Sequence, residues 1–219
     1  MKRNTWVVIP AHNEVRNIVP VLLKLRKYDA NVVVVDDGST DNTSGKARHV
    51  GVTVLRHLIN LGKGAALKTG CDYAVMHGAK RIIVMDADGQ HDPKEIRNFL
   101  KRLSSVDIVL GFRRMNEKMP RIFKLGNWFI NRAVAFLFGI KIRDTQCGFR
   151  AFTKEAYKKI RWNASDYSME SEMIAHIGKT RLRYAEVPIE TIYADRYKGT
   201  TILDGIKIVL NMLIWRLRG

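Results

Sequence analysis

A chain of 219 residues with 46% apolar side chains is long enough to bury a full α/β core, which excludes a disordered tail or a disulfide-stapled miniprotein. Lysine and arginine number 38 against 21 acids, a net charge of +17, and that excess favours an anionic partner: nucleic acid, a phosphorylated substrate or an acidic membrane surface. Only Cys71 and Cys147 are present, the chain opens on a strand-like segment instead of a signal peptide, and no charge-free apolar run reaches about 18 residues, so a reducing cytoplasm and no membrane span are expected.

Thr5 to Pro10 (TWVVIP) is a short β-branched run that reads as a strand, after which Ile18, Val21, Leu22 and Leu25 recur at helical spacing. Asn31 to Val35 (NVVVV) is a second strand, broken by Asp36-Asp37-Gly38-Ser39-Thr40-Asp41, whose side chains suit a helix N-terminus. A third strand, Val52 to Leu55, leads through Asn60-Leu61-Gly62-Lys63-Gly64 into a helix expected to run to about Met76. Arg81 to Met85 is a fourth strand; it ends in Asp86-Ala87-Asp88-Gly89-Gln90-His91-Asp92-Pro93, where Asp92 suits a helix cap and Pro93 the first turn. Asp107 to Leu110 is a fifth. Apolar strands separated by helices predict a mostly parallel sheet covered on both faces, and ligands bind such sheets at the carboxyl ends of the strands, where the polar clusters of this chain fall.

Beyond about Gly111 the pattern changes. Met119 to Ile142 is apolar but interrupted by Arg121, Lys124, Arg132 and Lys141, and Thr201 to Gly219 has the same character, with Lys207, Arg216 and Arg218 among its apolar residues. Each reads either as a basic amphipathic helix lying in a membrane interface or as a core or oligomer helix. The expected organisation is one domain over residues 1–200 followed by a C-terminal amphipathic helix over 201–219.

Asp86-Ala87-Asp88 is the strongest local signal. Alternate side chains of an extended backbone share a face, so the two carboxylates suit one hard divalent cation, Mg2+ or Mn2+, with Gln90 as a further ligand; a capped turn is the plainer alternative. Asp36 to Thr43 reads either as a ribose or base contact or as helix capping. Gly62-Lys63-Gly64 could help bind a phosphate but lacks the P-loop pattern. Arg113 and Arg114 after the fifth strand, and Arg196 with Lys198 further on, have the fork and charge that phosphates require. No zinc-ligand spacing or nucleophile elbow is present, and Cys147 reads as a buried, inert thiol.

The ordered set Val8-Ile9-Pro10-Ala11-His12-Asn13-Glu14, Val34-Val35-Asp36-Asp37-Gly38-Ser39-Thr40-Asp41, Asn60-Leu61-Gly62-Lys63-Gly64, Asp86-Ala87-Asp88-Gly89-Gln90-His91 and Asp144-Thr145-Gln146-Cys147-Gly148-Phe149-Arg150 resembles the family 2 glycosyltransferases, and among them the polyprenyl-phosphate (dolichyl-phosphate) mannose and glucose synthases. The resemblance implies a GT-A fold and inverting transfer of mannose or glucose from a GDP- or UDP-sugar to a polyprenyl or dolichyl phosphate, with Mg2+ or Mn2+. It implies that Pro10, Glu14, Val35 and Asp37 contact the nucleoside with Ala87 near the nucleotide, that Asp86, Asp88 and Gln90 hold the metal, and that Arg113, Arg196 and Lys198 face the acceptor phosphate or the diphosphate. Asp88, Arg113 and Arg196 are then the catalytic set. His12 stands where the family has a tyrosine, and Arg196-Tyr197-Lys198-Gly199-Thr200-Thr201-Ile202 lacks the lysine that ends the family's corresponding motif.

A phosphate acceptor is already anionic, so the absence of an obvious base fits that chemistry. The charge and the basic helices fit a peripheral enzyme on the cytoplasmic face of a membrane, with a membrane-embedded protein partner possible. Two alternatives stand beside this reading. One is a family 2 enzyme acting on a sugar hydroxyl of a lipid-linked saccharide, which would need a base from Asp144, Glu170 or Glu172; the other is a basic nucleic-acid-binding module, although no helix-turn-helix, zinc finger or RNP pattern is present.

Overall fold

The structure, a computed structural model, describes residues 4–113 and 121–190, with 121–127 described by backbone alone. The expected helix at 201–219, Arg114, and the cations Arg196 and Lys198 lie outside the described residues.

Five strands fall where the apolar runs place them: β1 (Thr5–Ala11), β2 (Asn31–Asp37), β3 (Thr53–His57), β4 (Arg81–Val84) and β5 (Ile108–Arg113). Helix α1 (Ile18–Leu25) buries the four residues whose spacing marks it, Ile18, Val21, Leu22 and Leu25, and admits Pro20 in its first turn, where no intrahelical N–H bond is lost. Helices α2 (Thr43–His49) and α3 (Lys63–Met76) follow β2 and β3. After β4, the Asp92 carboxylate accepts the Lys94 N–H at 2.9 Å and Pro93 opens a single 3-10 turn that runs into α4 (Ile96–Leu103).

The sequence reading stops at five strands, and the structure adds two. After α5 (Arg121–Phe138) come β6 (Arg150–Thr153), α6 (Lys154–Ile160), α7 (Met169–Thr180) and β7 (Tyr184–Ile189). Both added strands lack the continuous apolar signature: β6 has only four residues and opens on an arginine, and β7 contains Pro188, which a sheet tolerates because β7 is its edge. The strand order is β3-β2-β1-β4-β6-β5-β7, with β6 antiparallel to both neighbours and every other pairing parallel. The carboxyl ends of β1, β2, β4 and β5 therefore lie on one edge of the sheet, together with the start of β6, where Val84 faces Arg150.

Alternation along the strands builds a core on each face. Trp6 and Val8 point into one with Leu67, Trp162 and Met173, while Val7 and Ile9 point into the other with Leu22, Ile96 and Phe99. Helix α5 is amphipathic in the expected sense: Ile130 and Val134 are buried, while Trp128 is 57% and Phe136 88% exposed, with Phe129 and Arg132 also outward. Among the described residues, no helix is long and apolar enough to cross a membrane.

Leu22 is 1% exposed in the core beneath α1. Leu22→Ala is expected to cost about 2–5 kcal/mol by leaving a cavity, read as a lower urea midpoint with an unchanged slope.

Candidate active site

The loops at the carboxyl edge are held by side chains of the motifs themselves. Asn13, in the left-handed region at φ 55°, donates its backbone N–H to Ser39 Oγ at 2.9 Å and accepts the Thr40 N–H on its amide oxygen at 2.9 Å. The Glu14 N–H donates to Thr43 Oγ1 at 2.9 Å, and the Val15 N–H to Asp41 at 3.2 Å. These bonds staple the loop after β1 to the loop after β2. His12 is exposed beside them; its Nδ1 lies 2.8 Å from the Asp37 carbonyl, an acceptor only, so Nδ1 carries the proton and Nε2 is left to accept from the Asn13 amide at 3.2 Å.

The two carboxylates expected in the loop after the second strand are instead its last two residues, and they look inward. Asp36 is fully buried, accepts the Ser39 N–H and the Ser44 hydroxyl, and has Arg56 at 3.7 Å. Asp37 accepts from His57 Nδ1 at 2.7 Å, the Leu61 N–H at 2.9 Å and the Gly62 N–H at 2.8 Å. Asp37 thus orders the loop that opens α3. Of the remaining residues expected around a nucleoside, Pro10 pairs in register with Val35, and Glu14 and Ala87 are buried at the same edge. Val35 is fully buried in the sheet, with its side chain packed toward Gly70 of α3.

Asp86 and Asp88 follow β4. The Lys63 ammonium, at the first residue of α3, lies 2.7 Å from Asp86 Oδ1 and 3.0 Å from Glu170 Oε1. Burial alone would raise the Asp86 carboxyl, but the Lys63 charge, with Arg113 adding to it, holds it below the usual carboxylate range. Lys63 itself is raised well above an ordinary lysine, because the two carboxylates outweigh the cost of burying the ammonium. Asp88 goes the other way: burial, then the Asp86 charge, push it up to about 6, although it accepts the Gln90 N–H at 3.0 Å. His91 is neutral, since burial pushes it down to about 4, and its Nδ1 accepts the Asp86 N–H at 3.2 Å.

This donor set suits a divalent cation of the Mg2+ or Mn2+ kind. Two oxygen ligands stand on one strand end, and Asp88 carries negative charge that its surroundings leave incompletely balanced. No group of three or more His, Cys, Asp or Glu side chains converges as a metal cluster among the described residues. Such a cation would therefore depend on one or two carboxylates, the nearby Gln90 amide and oxygens brought by a phosphorylated ligand, which is the usual habit of Mg2+.

The third wall is the segment before β6. Asp144 forks the Arg113 guanidinium, with Nε at 2.6 Å and Nη2 at 3.0 Å. Arg150, fully buried, donates to the carbonyls of Thr145 at 2.7 Å, Cys147 at 2.9 Å and Glu170 at 2.9 Å, binding this segment to the start of α7. A Cβ on Gly148 would stand 2.6 Å from Asp86 Oδ2 and 2.9 Å from Lys63 Nζ, so a side chain here would push the Asp86–Lys63 pair out of place. Cys147 is buried and its thiol is pushed up to about 12, first by burial and then by the Asp144 charge, as expected for an inert cysteine. The ion pairing of Lys63 with Glu170, the grip of Arg150 and the neutral His91 are the parts that sequence reasoning did not place. Lys63, His91 and Arg150 are signalled by membership of the motifs, whereas Glu170 lies outside them and stands in the sequence only as a candidate base.

The Asp88 shift has a measurable consequence. An acid whose folded value lies above its unfolded one binds more protons when folded, so its contribution to stability falls as pH rises from about 4 to about 6. His91, held down, contributes the opposite slope over roughly the same range, so a difference between variants isolates Asp88. In chelator, Asp88→Asn is expected to be more stable than the wild-type chain by about 1–3 kcal/mol at pH 7.5 and by little at pH 4, measured by urea unfolding.

Comparison with known proteins gives this edge its family. Residues 6–161 match the family described as Glycosyl transferase family 2. The UDP-N-acetylglucosamine–dolichyl-phosphate N-acetylglucosaminyltransferase of Methanococcus voltae is 32% identical over 97% of this chain and 96% of its own. The polyprenol monophosphomannose synthase of Mycolicibacterium smegmatis is 28% identical over 99% and 88%. Among solved structures, glucosyl-3-phosphoglycerate synthase from Mycobacterium tuberculosis in complex with Mg2+ and UDP superposes with a TM-score of 0.77 at 21% identity, over 98% of this chain and 79% of that one, and shows the shared GT-A-like fold. With its motifs in the expected order around one sheet edge, the chain belongs to glycosyl transferase family 2.

Proposed function

We propose that this glycosyltransferase moves a hexose, mannose or glucose, from a GDP- or UDP-linked donor to the phosphate of a polyprenyl or dolichyl lipid, with inversion, using Mg2+ or Mn2+ held by Asp86, Asp88 and Gln90. The observation that carries this reading is the state of the three carboxylates that a sugar-hydroxyl acceptor would need as base. Asp144 is forked by Arg113, Glu172 accepts the N–H groups of Asn163 and Ala164 at 3.0 and 2.8 Å, and Glu170 holds Lys63. A lipid phosphate needs no base, because it is already ionised at neutral pH. The names of the relatives support the acceptor: dolichyl phosphate in one and a polyprenol monophosphate product in the other.

In this mechanism an acceptor phosphate oxygen attacks the anomeric carbon on the face opposite the nucleotide; the new C–O bond forms as the bond to the diphosphate breaks. The bound cation supplies charge neutralisation at the departing diphosphate oxygens. Pro10, Glu14, Val35, Asp37 and Ala87 position the nucleoside, and Arg113, with Arg196 and Lys198, aligns the acceptor phosphate. The proposed setting is the cytoplasmic face of a membrane, with the outward residues of α5, Trp128, Phe129, Arg132 and Phe136, at the interface and the +17 charge drawn to anionic lipid. A membrane-embedded protein partner is compatible with this setting, and no nucleic acid is required.

The decisive assay is a panel of UDP-N-acetylglucosamine, UDP-glucose and GDP-mannose with a short polyprenyl phosphate in Mn2+, Mg2+ or chelator, scored for extractable glycolipid. Asp88→Ala is expected to abolish cation-dependent turnover while leaving the circular dichroism unchanged; undiminished turnover would remove Asp88 from the reaction. Trp128→Ser with Phe136→Ser is expected to cut flotation with anionic vesicles several-fold without changing turnover of a detergent-dispersed acceptor. Equal flotation would remove α5 from the membrane contact.

A further inference from the structure

Lys63 is a buried cation placed against one of the two carboxylates assigned to the metal. Its ammonium spans Asp86 Oδ1 at 2.7 Å and Glu170 Oε1 at 3.0 Å, with the Tyr167 ring 5.6 Å away. Neither end of this bridge is loose. The start of α3 is fixed to the segment before α7 by the Ala65 N–H on the Ser165 carbonyl at 3.1 Å and by Trp162 Nε1 on the Gly64 carbonyl at 2.8 Å. Arg150 fixes the Glu170 backbone. Glu170 is 3% exposed, and its second oxygen, Oε2, is buried without a hydrogen-bond partner among the described residues. A buried carboxylate oxygen without a donor is costly, and here it lies on the group that already shares the ammonium.

We propose that Glu170 is a positioning residue for Asp86: it is the second seat of the Lys63 ammonium, and it takes that ammonium over when a divalent cation claims Asp86. The proposal rests on the reading of Asp86 and Asp88 as cation ligands. Without the cation, Lys63 supplies the positive charge that Asp86 needs. When the cation arrives, Lys63 would otherwise be a like charge held beside it. The unpartnered oxygen of Glu170 gives the displaced donor an acceptor without leaving the site, so the lysine yields Asp86 instead of competing for it. Glu170 touches neither donor nor acceptor in this scheme and acts only through Lys63.

The test is Mn2+ binding to the 219-residue chain, first alone and then with UDP or GDP at fixed concentration and a protein-free nucleotide control, followed by the electron paramagnetic resonance of free Mn2+. Glu170→Gln is expected to weaken Mn2+ by about fivefold or more, because Lys63 is left with Asp86 alone, and Lys63→Gln to tighten it by a similar factor. The two changes are expected not to add: in the Lys63→Gln background, Glu170→Gln shifts the affinity by less than about twofold. A general loss of negative charge would instead weaken binding equally in both backgrounds, and that result, or an unchanged Glu170→Gln, would overturn the proposal while leaving the cation site standing. No saturable Mn2+ binding by the wild-type chain, either alone or with the nucleoside diphosphate present, would overturn the cation reading and this proposal with it. Should Lys63→Gln fail to fold, Mg2+ titration of the wild-type chain by lysine side-chain NMR decides. One slowly exchanging, buried ammonium signal that moves with Mg2+ saturation supports the exchange of seats, and a stationary one overturns it.

Discussion

Charge that folding buries at the carboxyl edge of the sheet must find a partner inside the protein, and this constraint shapes the site. The sheet is apolar on both faces, so the acidic groups at its edge have little water to fall back on. Asp36 is met by Ser39, Ser44 and Arg56, Asp37 by His57 and two backbone N–H groups, Asp144 by Arg113, and Asp86 by Lys63. Asp88 is the one whose ionised form is disfavoured by its surroundings, which marks it as the carboxylate with most to gain from an added cation.

These pairings also do mechanical work. A carboxylate that accepts two successive N–H groups, as Asp37 does from Leu61 and Gly62, fixes the backbone that carries Lys63 into the site. Arg150 does the same from the opposite side, tying the segment before β6 to α7 through carbonyl oxygens instead of through a carboxylate. The site is thus assembled from loops whose geometry is set by side chains of their neighbours, as preorganised charge stabilisation requires.

Family membership fixes the fold of the chain and leaves ligand choice to individual side chains at the loops. At His12, where the resemblance leads to an expected tyrosine, hydrogen bonds to the Asp37 carbonyl and to Asn13 hold the ring in one tautomer at the mouth of the loops. The relatives named above carry different sugars on related lipid phosphates, so the shared fold and motifs leave the sugar to residues around them.

Periodicity and local chemistry were enough for the first half of the molecule. Four apolar residues at helical spacing became the buried face of α1, Asp92 and Pro93 opened the turn before α4, and five runs of β-branched residues became β1 to β5. Such signals are readable because they depend on neighbours in the chain. The strands β6 and β7 were not readable, since a four-residue strand opening on an arginine and an edge strand holding a proline owe their state to the strands beside them. The motifs likewise pointed to Lys63, Asp86 and Asp144 as neighbours at one sheet edge, but not to how they pair. That Lys63 bridges Asp86 and Glu170, more than a hundred residues apart along the chain from the latter, and that Asp144 is occupied by Arg113, follow from where the sheet order and α7 bring them. The sequence alone determined the residue types and the edge on which they gather; only the tertiary structure decided which charge neutralises which, because burial and distance set that choice and neither is a property of the chain's order.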